Sequence, residues 1–281
     1  MCRHLAYLGP PTTLSALILD PPHGLLRQSY APLDMRGGGT VNADGFGVGW
    51  YPASEAEPLR YRSEKPLWND TALAAVAAAT SSGAVLAAVR SATAGMPVHA
   101  GAAAPFGEGT WLFSHNGLVR GWPGSVAGLA AGLPTTDLLT LEAPTDAALL
   151  WTLVRHRLRA GESPVIALAD VVRDVEAAAP GSRLNLLLTD GDTVWATAWT
   201  HALSVRATDD AVLVASEPVD DVPGWTSVPD RHLVVARPGS CRITDLAGSA
   251  DRSTDALAPT DLAAAYPPCD PPARTPDRAR H

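Results

Sequence analysis

The sequence predicts an α+β fold built on two largely antiparallel sheets, and three observations carry that expectation. Short apolar runs of strand length crowd the first part of the chain, two longer segments with helical spacing follow, and strand-like runs then resume up to residue 237. Strands, then helices, then strands favour a layered arrangement over a doubly wound one, in which the two would alternate. At 281 residues with 46% hydrophobic content, the chain can bury one sizeable core.

Taken in order, residues 2–8 read as a buried strand broken by Gly9-Pro10-Pro11, and residues 13–19 as a short helix or turn. From Gly45 the run Gly-Phe-Gly-Val-Gly-Trp-Tyr alternates small with large residues. That suits a strand whose glycine face admits close approach of another backbone, ended by Tyr51-Pro52. Residues 71–80 are Ala-rich and helical by propensity, with a stop at Ser81-Ser82-Gly83. Residues 84–89 form a continuous apolar strand, and residues 111–114 a shorter one running into the turn-like His115-Asn116-Gly117.

Thr145-Asp146 opens a helix, because Ala148, Leu149, Leu150, Leu153, Val154 and Leu158 recur at helical spacing up to Ala160-Gly161. A second helix spans 165–179 and stops at Pro180-Gly181. Strands follow at 184–188, 194–200, 203–206, 211–215 and 232–237, with Asp190-Gly191-Asp192 as a hairpin turn. Residues 2–258 are expected to form one domain. Residues 259–281, rich in Pro, Asp and Arg and lacking apolar period, are expected to be a disordered tail.

Composition removes several function classes. A net charge of −8 without a basic block argues against nucleic acid as a partner. The apolar run from Leu5 to Leu8 ends too early for a signal peptide, and no stretch approaches ~20 uninterrupted apolar residues. A cytoplasmic protein without a membrane partner is therefore expected. Cys2, Cys241 and Cys269 offer no C-x-x-C pair. The histidines lack ligand spacing and the glycines lack a Walker lysine or Rossmann spacing, so neither metal nor cofactor is expected. Homo-oligomerisation stays open.

Cys2 is the first candidate for chemistry. Removal of Met1 would leave a free α-amine on a residue that also carries a thiol, and these titrate near ~7.7–8.0 and ~8.5 respectively, so base and nucleophile would share one residue. Position 2 alone is a weak signal, since an incidental small residue at a frayed end reads the same way. Ser114-His115-Asn116-Gly117 offers an Asn amide beside a Gly N–H for a developing oxyanion, although Asn-Gly by itself is more often a hairpin turn. Arg90, ahead of Ser91-Ala92-Thr93, could present its fork to a substrate carboxylate while Thr93 adds a hydroxyl; a surface ion pair is the equal alternative. Asp146 could receive a substrate ammonium, and could as well be a helix N-cap.

The joint order of an N-terminal Cys, Arg-x-x-Thr after a strand, Asn-Gly at a strand end and Thr-Asp opening a helix resembles the class II glutamine amidotransferases. Met1-Cys2-Arg3-His4-Leu5, the segment from Val41-Asn42-Ala43-Asp44 to Trp50-Tyr51, Ala88-Val89-Arg90-Ser91-Ala92-Thr93, Ser114-His115-Asn116-Gly117, and Ser216-Glu217-Pro218 with Asp220 are similar to its ergothioneine-biosynthesis branch. The likeness spans residues 2 to 240.

That resemblance implies a four-layer αββα sandwich of the N-terminal-nucleophile hydrolase type. It implies Cys2 as nucleophile with its amine as proton shuttle, and Asn116 and Gly117 as oxyanion hole. Arg90 and Thr93 would hold the α-carboxylate of a glutamyl group and Asp146 its α-amine. The implied reaction cleaves the γ-glutamyl amide of a small molecule, γ-glutamyl hercynylcysteine S-oxide, to glutamate and hercynylcysteine S-oxide through a Cys thioester. Ser91, Ala94 and Ala148 depart from the wider amidotransferase pattern, in which Trp, His and an acidic residue are frequent; these departures bear on the glutamine pocket and leave the reaction intact. With no second large catalytic domain in the sequence, hydrolysis by a stand-alone chain is expected. A glutaminase feeding ammonia to a separate synthase and a non-catalytic binding protein on the same fold are the alternatives.

Overall fold

The computed structural model describes residues 2–36 and 41–246. The expected tail, Cys269 and the Gly37-Gly38-Gly39 loop lie outside the described residues. A seven-stranded sheet runs in the order β11 (Thr226–Ser227), β9 (Ser204–Ala207), β10 (Val212–Ala215), β1 (Arg3–Thr13), β4 (Ser81–Val89), β2 (Phe46–Trp50), β3 (Leu59–Ser63). A six-stranded sheet runs β13 (Ser240–Asp245), β12 (His232–Arg237), β8 (Val194–Ala198), β7 (Arg183–Thr189), β6 (Trp111–Leu118), β5 (Phe106–Glu108). Neighbouring strands pair antiparallel throughout both sheets.

Side-chain alternation explains the layering. On β1 and β4, Ala6, Leu8, Ala84 and Leu86 face one way and meet Leu112, Leu187, Val194 and Ala196 of the second sheet. Their neighbours Leu5, Tyr7, Val85, Ala87 and Val89 face the other way, onto α1 (Leu14–Ile18), α2 (Leu25–Gln28) and α3 (Leu73–Ala79). The outer face of the second sheet, with Phe113, Leu184, Leu186 and Leu188, packs against α6 (Asp146–Arg159) and α7 (Pro164–Ala178) through Leu150, Val154, Leu168 and Val172. The short α4 (Ala127–Ala131) and α5 (Thr135–Leu139) precede them. Each fully buried Leu or Val contributes roughly 1.5–3 kcal/mol. Three apolar seams therefore bind four layers, as the αββα expectation requires.

The glycine face expected on β2 is present. A Cβ on Gly47 would lie 2.3 Å from the Ala104 carbonyl oxygen, and one on Gly49 2.7 Å from Leu112, so only glycine lets the second sheet's loop approach. The hairpin at Asp190-Gly191-Asp192 joins β7 to β8. Three boundaries differ from expectation. β1 passes through Gly9-Pro10-Pro11 to Thr13, because its register to β4 shifts between Leu8 and Thr12 and an irregular segment tolerates proline. β4 begins at Ser81, where a helix stop was expected. β6 continues to Leu118, so Asn116-Gly117 lies inside a strand, opposite Asn185 and Leu184, and is no hairpin turn. The edge strands β3, β5, β11 and β13 are further strands that propensity did not mark.

Candidate active site

The head of β1 positions Cys2. Arg3 pairs with Val89 across β1 and β4, so the chain just before it runs beside the end of β4, and the Cys2 Sγ approaches the Ser91 carbonyl oxygen at 3.7 Å. Asp44 holds the segment after β4 in place: its N–H donates to the Arg90 carbonyl at 3.0 Å, and its carboxylate accepts the Ala92 N–H at 2.7 Å. The Arg90 N–H donates in turn to the Gly45 carbonyl at 2.8 Å. These short loops hold Arg90 and Thr93 at the mouth of the β4 strand.

One pocket gathers Cys2, Arg90, Thr93, Gly117 and Asp146, with Met96 and Phe106 as apolar walls. Arg90, nine-tenths buried, spends only Nη1 on the described residues, donating to the Pro97 carbonyl at 2.9 Å and more weakly to the Asp44 carbonyl at 3.4 Å. Its other nitrogens are left for a ligand. Asp146 sits in the first turn of α6, and the capping role belongs to its neighbour: Thr145 accepts the Ala148 N–H at 3.2 Å. The Asp146 carboxylate accepts N–H groups from Val119 at 3.0 Å and Ala147 at 2.8 Å. A carboxylate has about four acceptor positions, so capacity for an ammonium persists.

Asn116 does not line this pocket. It is fully buried between the sheets, donating through Nδ2 to Ser216 Oγ at 3.1 Å, while its Oδ1 has no partner. Ser216 also accepts the His4 N–H at 3.0 Å, and the Ser216 N–H donates to the His4 carbonyl at 3.0 Å. His4 Nδ1 lies 3.2 Å from Ser114 Oγ. The inter-sheet seam, apolar along most of its length, thus turns polar next to Cys2. Burial above all pushes His4 down to about 3, with His115 and Arg3 acting in the same direction, so its ring is neutral. His115, also lowered chiefly by burial, donates from Nε2 to the Arg183 carbonyl at 2.9 Å.

Arg3 and Glu217, each almost fully buried, lie 4.0 Å apart. The Glu217 carboxylate accepts the Leu33 N–H at 3.1 Å and the Asp34 N–H at 2.8 Å, and Arg3 contacts the Asp34 carbonyl. Burial lowers the Arg3 guanidinium and Glu217 pulls it back up. The pair ties the segment around Asp34 to β1. Asp44, His4, Ser114, Ser216 and Glu217 are therefore structural supports of the site that were visible only as parts of quoted motifs. Nothing local marked their roles.

Two sheets stacked between helical layers, with a cysteine at the head of a central strand, define the N-terminal-nucleophile type of glutamine amidotransferase sandwich. The chain belongs to the class-II glutamine amidotransferases, whose family model matches residues 16–208, a span that includes Arg90, Thr93, Asn116, Gly117 and Asp146 and begins after Cys2. Within that family it is 46% identical over 88% of its length to a protein of Mycolicibacterium smegmatis named gamma-glutamyl-hercynylcysteine sulfoxide hydrolase, all of which is covered. A protein of the same name from Mycobacterium tuberculosis is 46% identical over 83% of this chain and 92% of its own. The solved structure of a glutamine aminotransferase class-II domain protein from Silicibacter pomeroyi superposes with a TM-score of 0.64 at 24% identity, covering 87% of this chain and 99% of that one, which bears on the fold. Among the described residues no helix is long and apolar enough to cross a membrane.

Proposed function

We propose that this chain is the cytoplasmic hydrolase that cleaves the γ-glutamyl amide of γ-glutamyl-hercynylcysteine sulfoxide, releasing glutamate and hercynylcysteine sulfoxide, over a single domain of residues 2–258. The observation that carries this reading is the convergence of Cys2, Arg90, Thr93, Gly117 and Asp146 on one pocket. It is supported by the identity to proteins that bear that name.

After loss of Met1, the Cys2 thiol attacks the γ-carbonyl while its α-amine takes the proton. The Gly117 N–H and the Asn116 amide stabilise the resulting oxyanion; an NH2 group has two protons, and Ser216 uses only one. The amine then protonates the leaving nitrogen. The C–N bond breaks, a glutamyl thioester stays on Cys2, and water attacks it under the same base. Arg90 and Thr93 hold the glutamyl α-carboxylate, and Asp146 holds its ammonium. Arginine suits the first task because its planar fork matches a carboxylate.

Intact mass before and after incubation with a glutamine-derived diazoketone tests the reading. Loss of Met1 together with a single adduct mapped to Cys2 is expected. An unreacted Cys2 on a protein with a free N-terminus would sink it.

A further inference from the structure

Two neighbouring arginines, Arg183 and Arg120, lie outside the glutamyl pocket, and Arg183 interacts electrostatically with Cys2. Arg183 opens β7 in register with Leu118, and its carbonyl oxygen would lie 1.8 Å from a Cβ on Gly117, so its backbone walls that residue. Gly117 lines the glutamyl pocket and Arg183 does not. The Arg183 Nε is buried with no hydrogen-bond partner, and among the described residues its guanidinium has no carboxylate beside it. The neighbouring Arg120 repels it and, among the described residues, has no carboxylate partner either.

Several other arginines are matched by carboxylates. Glu142 answers Arg60 and Arg62, Glu108 and Asp137 answer Arg155 and Arg159, and Asp220 answers Arg206. In a chain of net charge −8, two adjacent cations left without an anion form a receptor for one. Burial, and then Arg120, lower the Arg183 guanidinium, while Cys2 acts in the opposite sense. His201, buried with both ring nitrogens unpartnered, is pushed down to about 3 by burial first and then by Arg183 and Arg3. Arg183 therefore lies within electrostatic reach of both Cys2 and His201.

We propose that Arg183, assisted by Arg120, binds the α-carboxylate of the amino acid that departs on the nitrogen side of the scissile bond, and so selects γ-glutamyl peptides over glutamine and simple γ-glutamyl amides. The assignment rests on the γ-glutamyl hydrolase reading. In a γ-glutamyl α-amino acid this carboxylate sits on the carbon next to the scissile nitrogen. With the γ-carbonyl at Cys2 and the glutamyl end held at Arg90, the carboxylate must fall close to the thiol on the side away from Arg90. Glutamine has only an NH2 there, and a γ-glutamyl alkylamide has only apolar atoms.

Steady-state kinetics of the full chain with γ-glutamyl-alanine and γ-glutamyl-ethylamide test this, because the two share the glutamyl end and differ in the carboxylate. The wild type should favour γ-glutamyl-alanine in kcat/KM by roughly 10–100-fold, the value of a charge-assisted pair, chiefly through KM. Arg183→Gln should collapse that ratio towards one, and Arg183→Lys should hold an intermediate ratio, since a point charge replaces a fork. Equal cleavage of the two substrates by the wild type would overturn the assignment and leave the hydrolase reading standing. So would a ratio that survives in Arg183→Gln, and because it is a ratio within one preparation, loss of folded protein cannot mimic it. Cleavage of neither substrate by a wild type with free Cys2 would remove the hydrolase reading and this assignment with it.

Discussion

Arg90 and Arg183 carry the same guanidinium, the one lining the pocket with Cys2 and the other outside it within electrostatic reach of that thiol, and the protein prepares them differently. Two backbone carbonyls hold Arg90 through Nη1 alone, and Asp44 braces the loop after it. Arg183 has a buried Nε with no acceptor and a second cation next to it. The first is pre-oriented before any ligand arrives; the second is left under-satisfied until an anion comes. A chain that recognises a constant glutamyl group and a distinctive leaving group gains from such a division, because rigidity secures the shared end and an unmet charge discriminates at the other.

The largest expected effect strikes both sides at once. Cys2→Ala should abolish turnover of every γ-glutamyl substrate while the far-UV circular dichroism and melting temperature stay near wild type; retained hydrolysis would dissolve the comparison. Arg90→Lys should then raise KM by roughly 10–100-fold for any substrate with a glutamyl α-carboxylate, whatever leaves, and this uniformity is what separates it from Arg183. A penalty that varied with the leaving group would show that the two sides are not independent. Ser216→Ala should be milder, lowering kcat by roughly 10-fold through loss of the acceptor that orients Asn116, with KM little changed. A rise in KM at constant kcat would argue that Asn116 binds the ground state instead.

The last effect concerns stability. His4 and His201 have folded-state values of about 3, below the ~6.5 of an unfolded histidine. Between those limits the unfolded chain binds more protons, so stability is fully present above pH ~6.5 and is lost as pH falls towards ~3, with up to about 1.4 kcal/mol per pH unit for each histidine. Chemical denaturation between pH 7 and 4.5 measures this slope. His4→Gln should flatten it, and an unchanged slope would locate the acid sensitivity elsewhere.

Much of this contrast was half legible in the sequence. The layered fold followed from short apolar runs of strand length on either side of two helical segments, and Gly47 and Gly49 announced a close approach because a glycine-lined strand has few other uses. Cys2, Arg90, Thr93, Gly117 and Asp146 could be picked out because each lies in a contiguous motif. Asn116-Gly117 read as a turn because what keeps it in a strand is Asn185 and Leu184, distant in sequence and invisible to a local window. Arg183 and His201 carried no signal at all. Their significance lies in what is missing around them, and an absent partner can be seen only once every neighbour has a position.

The central place of β1 has a consequence for the order in which activity is acquired. The strand that carries the nucleophile pairs with β4 on one side and with β10 on the other, Leu5 lying opposite Ala215. β1 therefore needs a partner distant in sequence, β10, before its second edge is filled. Assembly of the site thus depends on a long-range pairing: the head of β1 is held on both edges only when β10 has joined it.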